Sequence, residues 1–233
     1  MNMKISSKLI FILCMTNGIL FATEDIKPSR ATLESNVGEM KVEMLKLDNG
    51  SWKLTSILDG GSIVRREESE IFELKNNQIK PIRYDFNQRI LFRRYKASAD
   101  FSWVDNEVSY IENKEKGKIA LEKNVLGPSS ASLQLRLDFR QFEEDNIPEE
   151  ISYLVFWKGT LKNRTYVVSR EKETVETPFG KYEAYKVSRK FDEESDRSQI
   201  FWLAPDLDFS VIKIFDKNDR EIEIKIKNFE EIS

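Results

Sequence analysis

From Arg30 to Phe229 the chain is cut by turn signals, and most of the pieces between them alternate apolar with polar side chains. The spacing of those signals, roughly 8–12 residues, constrains the fold more than any other feature. Alternation of period two sends successive side chains to opposite faces of a strand. Many short strands of this kind, joined by tight turns, predict an antiparallel sandwich or barrel. The last segment is the clearest case. Ile222, Ile224 and Ile226 alternate with Glu223, Lys225 and Lys227, which predicts a strand with one face on the core and one in water. Asp48-Asn49-Gly50 separates the runs Glu39 to Leu47 and Ser51 to Leu58. Asn-Gly tolerates the positive φ of a tight primed turn, so a hairpin is predicted there. Strands are also predicted over 31–35, 67–74, 79–86, 90–103, 107–111, 118–121, 151–158, 165–169, 170–177, 181–189, 198–203, 209–215 and 221–229.

One segment departs from this rhythm. Leu133 and Leu137, with Leu135, Phe139 and Phe142, recur at helical spacing. Leu133, Leu135, Leu137 and Phe139 also alternate as a strand would. The preceding Pro128-Ser129-Ser130 is a helix-start signal, with a serine to cap the first turn, and the helix is preferred. The expected fold is therefore mainly β: an antiparallel curved sheet forming a barrel or sandwich, with one substantial helix around residues 129–142, lying across a sheet or plugging one end of a barrel. An internal echo pairs residues 50–53, 71–74 and 79–82 with 180–183, 200–203 and 209–212, as two similar meanders would.

Lys4 and Lys8 flank the start of an apolar run, Leu9 to Phe21. Charge followed by a short apolar stretch predicts a secretory signal peptide over 1–22, too short for a good membrane span. A polar segment, 23–29, and a single β-rich domain, 30–229, follow. The expected location is the periplasm, with no stable transmembrane span after signal cleavage. The only cysteine, Cys14, lies inside the apolar run, and the sequence has no histidine. Cleavage leaves no thiol nucleophile, no imidazole base and no Cys/His metal cluster. No catalytic, cofactor-binding or metal-ligating residue is predicted. The net charge of −3 becomes −5 once Lys4 and Lys8 are gone. The charges are mixed along the chain, which gives no basic footprint for nucleic acid.

Three constellations offer binding chemistry. Arg89, Arg93, Arg94 and Lys96 are interleaved with Phe92 and Tyr95. They form either a site for anionic lipid head groups or sugar phosphates, through bidentate contacts, or a solvated strand face. Trp52, Trp103, Trp157 and Trp202 either line an apolar cavity or fill the core. Asp206 and Asp208 flank Leu207, as a cation or acid–base pair or as turn-capping carboxylates. Turn chemistry is preferred, since no further oxygen ligands accompany the pair. Arg89, Arg93, Arg94, Trp103 and Trp157 are the candidate ligand-binding residues. No Gly-rich phosphate loop and no Gly-x-Ser-x-Gly elbow is present.

Five blocks occur in order: Leu47-Asp48-Asn49-Gly50-Ser51-Trp52-Lys53-Leu54, Phe72 to Pro81, Leu133-Gln134-Leu135-Arg136-Leu137-Asp138, Glu176 to Tyr182, and Trp202-Leu203-Ala204-Pro205-Asp206-Leu207-Asp208. Together they resemble the bacterial domain-of-unknown-function family 3108, from about Ala31 to Ile226. The resemblance implies an exported, β-rich protein of Gram-negative envelopes, with no established activity and no catalytic residues to carry over. The sequence departs from the family pattern at Phe209-Ser210-Val211 and at Gly127-Pro128-Ser129-Ser130-Ala131. The leading expectation is a non-enzymatic binder of an apolar or amphipathic envelope component, a lipid or lipid-linked glycan. A partner-binding envelope scaffold and a carboxylate-dependent hydrolase are the alternatives. An apolar cavity, an uncovered apolar patch or an acidic cleft distinguishes the three.

Overall fold

The computed structural model describes residues 26–192, 194–218 and 221–232. The signal-peptide segment, 1–22, lies outside the described residues. Eight strands follow one another first: β1 (Ser29–Ser35), β2 (Gly38–Lys46), β3 (Trp52–Gly60), β4 (Val64–Lys75), β5 (Gln78–Ile90), β6 (Arg93–Ser102), β7 (Glu107–Glu112) and β8 (Glu115–Ala120). The helix α1 (Ser130–Phe139) comes next. Six more strands complete the chain: β9 (Glu150–Trp157), β10 (Thr160–Thr177), β11 (Gly180–Arg189), β12 (Ser198–Ala204), β13 (Ser210–Lys217) and β14 (Glu221–Glu231).

All fourteen strands form one sheet, in the order β8-β7-β6-β5-β4-β3-β2-β1-β14-β13-β12-β11-β10-β9. Every neighbouring pair is an antiparallel meander step except β1–β14, which joins the two ends of the chain across Ser29↔Glu231 to Ser35↔Ile224. The sheet is not closed by pairing of its edges, β8 and β9. It curls until they approach, as accumulated strand twist requires of so many strands. Phe156 of β9 packs edge-on to Phe101 of β6, with ring centroids 5.7 Å apart. Gly117 of β8 and Gly159 just after β9 both abut the Tyr110 ring so closely that a Cβ on either would overlap it. Bulges at Thr32/Leu33, Ile71/Phe72 and Trp202/Leu203 sharpen the bend. The second accommodates Pro81, which cannot donate to the ladder and is tolerated at a bulge.

The helix occupies the space the curled sheet encloses. Leu133 and Leu137 pack with Met44, Trp52, Phe72, Ile79 and Val155. Leu135 and Phe139 pack on the other side with Tyr166, Tyr185, Val187, Phe201 and Leu203. The helix is packed on two sides, its polar Gln134, Arg136 and Asp138 being satisfied by hydrogen bonds to Ile79, Asp208 and Tyr153, and this explains why its leucines fit two periodicities at once. They form two i, i+4 pairs pointing to opposite walls. The helix is shorter than the predicted 129–142, because the chain turns after Phe139, where the Gln141 N–H reaches the Asp138 carbonyl at 2.9 Å.

The other face of the sheet is covered by the chain itself. The ladder between β10 and β11 slips between Val168 and Lys172. Beyond that slip the hairpin folds over β12, β13, β14 and β1, placing Val175, Ala184, Phe179 and Tyr182 against Trp202, Ile212, Ile224 and Leu33. Strand β12 is therefore buried on both faces, and Ile200 to Ala204 reads as an unbroken apolar run rather than an alternating one. Strand β14 keeps the predicted one-sided burial, with Ile224 and Ile226 inward. The echo between 50–82 and 180–212 does not survive in the pairing. Trp52 faces Phe72 across β3–β4, whereas its counterpart Tyr182 lies outside the residues of β11 that pair with β12.

Candidate functional site

Inward-facing positions of β4 alternate as Glu68, Glu70, Phe72 and Leu74, so strand geometry carries two carboxylates into the core. Glu70 is wholly buried. Its Oε2 accepts the backbone N–H groups of Ser129 (3.0 Å) and Ser130 (3.1 Å) at the start of α1. The cap of the helix is thus a carboxylate from the sheet rather than the predicted serine. The Ser129 hydroxyl instead donates to Glu68 Oε1 at 2.8 Å. Tyr84 donates to the same oxygen at 3.1 Å, and Arg66 pairs with Oε2 at 2.7 Å. A negative group at a helix N-terminus is favoured by the exposed N–H dipoles. Desolvation nevertheless dominates at Glu70. Burial pushes its carboxyl up to about 7, the hydrogen bonds from Ser129 and Ser130 opposing this and the Glu68 charge reinforcing it.

This is the arrangement a carboxylate hydrolase would need in outline, two acidic side chains side by side, but it lacks a cleft. Gly127 lies so close to Glu70 that a Cβ there would sit 2.2 Å from Oε1. The adjoining cavity, bounded by Tyr84, Phe86, Tyr95, Tyr110 and Phe156, has a volume of about 20 Å³, enough for a water molecule and not for a sugar. The pair holds the helix in place. No acidic cleft opens at this pair, and α1 packs into the interior of the curled sheet.

The Trp202 to Phe209 stretch is likewise structural. Pro205–Leu207 forms a 3-10 turn, and Asp208 (φ 52°) and Phe209 (φ 54°) take left-handed backbone. Asp208 then reaches α1: its Oδ2 accepts from Arg136 at 2.5 Å and its Oδ1 pairs with Arg140 at 3.0 Å. Phe209 packs on Phe139. Replacing Asp208 by alanine leaves the Arg136 guanidinium, 11% exposed, without its carboxylate, and a loss of roughly 2 kcal/mol is expected. Asn, which tolerates left-handed backbone and keeps an acceptor, should lose less. Thermal unfolding of the two variants checks this, and an alanine variant as stable as the parent would refute it. Beside this turn, an open groove of about 380 Å³ runs past Trp202, Lys213 and Lys225. Its charges are matched internally: both lysines pair with Glu223, at 2.9 and 2.8 Å. The Trp202 indole N–H donates to Glu173.

The five candidate ligand-binding residues are not gathered into one place. Trp103 follows β6, half-buried, its indole N–H donated to the Pro81 carbonyl at 2.7 Å. Trp157 ends β9, with the Arg164 guanidinium over its ring. Arg89, Arg93 and Arg94 lie at the opposite end of β6 from Trp103. Arg93 and Arg94 open β6, within the predicted run 90–103, while Arg89 lies near the end of β5, ahead of that run. The chain reverses at Leu91-Phe92, and the arginines stand on the two arms of the β5–β6 hairpin, Arg89 directly opposite Arg94.

That hairpin tip and the neighbouring β3–β4 tip form one projection. The Leu91 N–H donates to the Ile63 carbonyl at 2.7 Å, and Arg89 to the Gly61 carbonyl at 2.9 Å. Seven large hydrophobic side chains are exposed among the described residues, and four of them, Ile63, Ile90, Leu91 and Phe92, cluster here. Phe92 is 99% exposed. Leu91 adopts φ 53°, a conformation that costs a side chain with a Cβ about 1–2 kcal/mol and that Asn or Gly would take more easily. Arg65 of β4, Arg89 and Arg94 stand in register across three strands, and like charges directly opposite one another are destabilising. Arg65 is paired with Asp59 and Arg66 with Glu68, which leaves Arg89, Arg93, Arg94 and Lys96 without an ion pair among the described residues.

The family described as "Protein of unknown function (DUF3108)" matches residues 32–225. The chain belongs to this family. The match runs from β1 into β14, so the tip, the buried carboxylates and the Asp208 turn of this DUF3108 chain all fall within it. No curated protein matches the sequence. Among solved structures, the chain is similar to a crystal structure described as a beta-barrel-like protein of domain of unknown function DUF1849 from Brucella abortus. The TM-score is 0.58 at 10% identity, over 89% of this chain and 99% of that one. That likeness concerns the fold alone. Among the described residues of the DUF3108 chain there is no cluster of metal-ligating side chains, and no helix is long and apolar enough to cross a membrane.

Proposed function

We propose that this DUF3108 protein is a non-enzymatic envelope protein that engages an amphipathic envelope component at its surface, through the projection formed by the β3–β4 and β5–β6 tips. One observation carries the reading: an uncovered apolar cluster rimmed by unpaired arginines, on a fold whose interior is taken up by its own helix. Exposed apolar patches rimmed by polar groups mark interaction sites. Locally costly backbone and charge choices, such as Leu91 and the arginine row, concentrate where function requires them. Export to the periplasm is supported by Lys4 and Lys8 ahead of the Leu9 to Phe21 run.

The test uses envelope fragments from the bacterium that makes the protein. The exported chain should sediment with them, and the Phe92→Asp variant should remain in solution. Phe92 touches almost nothing, so the variant keeps the parent's thermal stability. Equal retention of the two proteins, or of neither, would refute the reading.

A further inference from the structure

We infer that the component bound by the tip is the surface of an anionic lipid bilayer, into which Phe92, Leu91 and Ile63 insert while the arginines hold head-group phosphates. The inference rests on the surface-binding reading above and names its partner. The layering of the projection supports it. The apolar side chains occupy the apex. Arg93 adjoins Phe92, Arg94 and Arg89 stand one step behind it on either arm, and Lys96 lies two residues further back. At about 3.3 Å per residue along a strand, the arginines sit within about 10 Å of the apex, the depth over which an interfacial segment passes from acyl chains to head groups, with Lys96 about 13 Å back. Arginine stems can pack along the apolar layer while their guanidinium groups stay at phosphate level, and the fork geometry suits phosphate oxygens bidentately.

Charge complementarity selects the anionic surface. Residues 87–96, Asn-Gln-Arg-Ile-Leu-Phe-Arg-Arg-Tyr-Lys, carry four cations and no acid in a chain of net charge −3. Asp59 pairs with Arg65, and the repulsion that Arg89 and Arg94 exert on each other is relieved further when anions approach them. The acidic remainder of the molecule is repelled by the same surface, so the tip is steered toward it. A small free anion would gain nothing from Phe92 and Leu91. A lipid surface uses both layers together.

The exported chain is sedimented with vesicles of phosphatidylcholine and phosphatidylglycerol in a 3:1 ratio, and with vesicles of phosphatidylcholine alone. Strong binding to the first and at least tenfold weaker binding to the second is expected. Each basic residue near such a surface contributes about fivefold, so the double change Arg93→Gln, Arg94→Gln should weaken binding about 25-fold. Phe92→Asp should weaken it at least tenfold, and 0.5 M salt should abolish most of it, as screening of surface charge requires. All three side chains concerned are exposed, and both variants should melt with the parent. Equal binding to the neutral vesicles, or variants that bind like the parent, would overturn the inference. If vesicles fail while envelope fragments still retain the parent and not Phe92→Asp, the partner is a protein or glycan. In that case the lipid inference falls and the surface reading stands. If the fragments also fail, both fall.

Discussion

Replacing Phe139 by alanine is expected to lower the stability of the protein by about 3–5 kcal/mol. Phe139 is 1% exposed at the last turn of α1. Its ring meets those of Phe142, Tyr185 and Phe209 at centroid distances of 5.8, 5.5 and 5.9 Å. It also shares a core with Leu135, Tyr166, Phe201 and Leu203. The truncation loses the transfer free energy of the ring and leaves a void between helix and sheet. Aromatic neighbours fixed to three different elements cannot collapse into it together. Folded domains hold only about 5–15 kcal/mol in reserve, so the variant should be poorly folded at growth temperature. Urea unfolding checks this, as a lowered midpoint with an unchanged slope. Phe142, only partly buried beside the same cluster, should cost less when truncated. A Phe139→Ala loss below 1 kcal/mol would mean that α1 is not the centre of the core.

Much of this architecture is legible in the sequence, for a definite reason. Most strands have one wet face, and for those period-two alternation is enforced by burial itself. It finds β2, β3 and β14 within two residues. Where both faces are covered the signal disappears, as at Phe201 to Ala204, where Phe201 and Leu203 meet the helix while Trp202 and Ala204 lie under the β10–β11 hairpin. The helix shows two periods because it has two apolar walls to satisfy. The turn between β5 and β6 is hidden by chemistry. Leu91-Phe92 contains no residue that favours a turn, so the reversal falls inside the predicted strand 90–103 and the arginines read as a strand face. The same substitution of apolar for turn residues is what makes the tip a candidate surface, so the misreading and the proposal share a cause. Glu70 is invisible for a different reason. Its parity with Phe72 places it inward, but its partners, the N–H groups of Ser129 and Ser130, lie 59 and 60 residues away, and no local pattern links a strand carboxylate to a distant helix start.

Glu70 also gives the protein an expected pH dependence. Its unfolded carboxyl titrates at the ordinary value of 4.5 and its folded one at about 7. Between these values the folded state keeps a proton that the unfolded state has released. The stability this group contributes is therefore fully present below about pH 4.5, falls as pH rises through 7, and is level above that. The whole swing amounts to roughly 3 kcal/mol. Other carboxyls act in the opposite sense: Glu107, Glu144 and Glu223 are held below the usual range by hydrogen bonds from Lys118, Lys172 and Lys225. The bare stability curve mixes these contributions, and the variant Glu70→Gln separates them. Glutamine keeps an acceptor for the Ser129 and Ser130 N–H groups and never ionises. It replaces Oε1, which has no hydrogen-bond partner among the described residues, with an amide. The difference in unfolding free energy between variant and parent should rise with pH from about 5 to 7.5, in favour of glutamine, and then stop changing. A difference independent of pH would show that Glu70 is ionised throughout, its charge held by the start of α1 against the cost of burial.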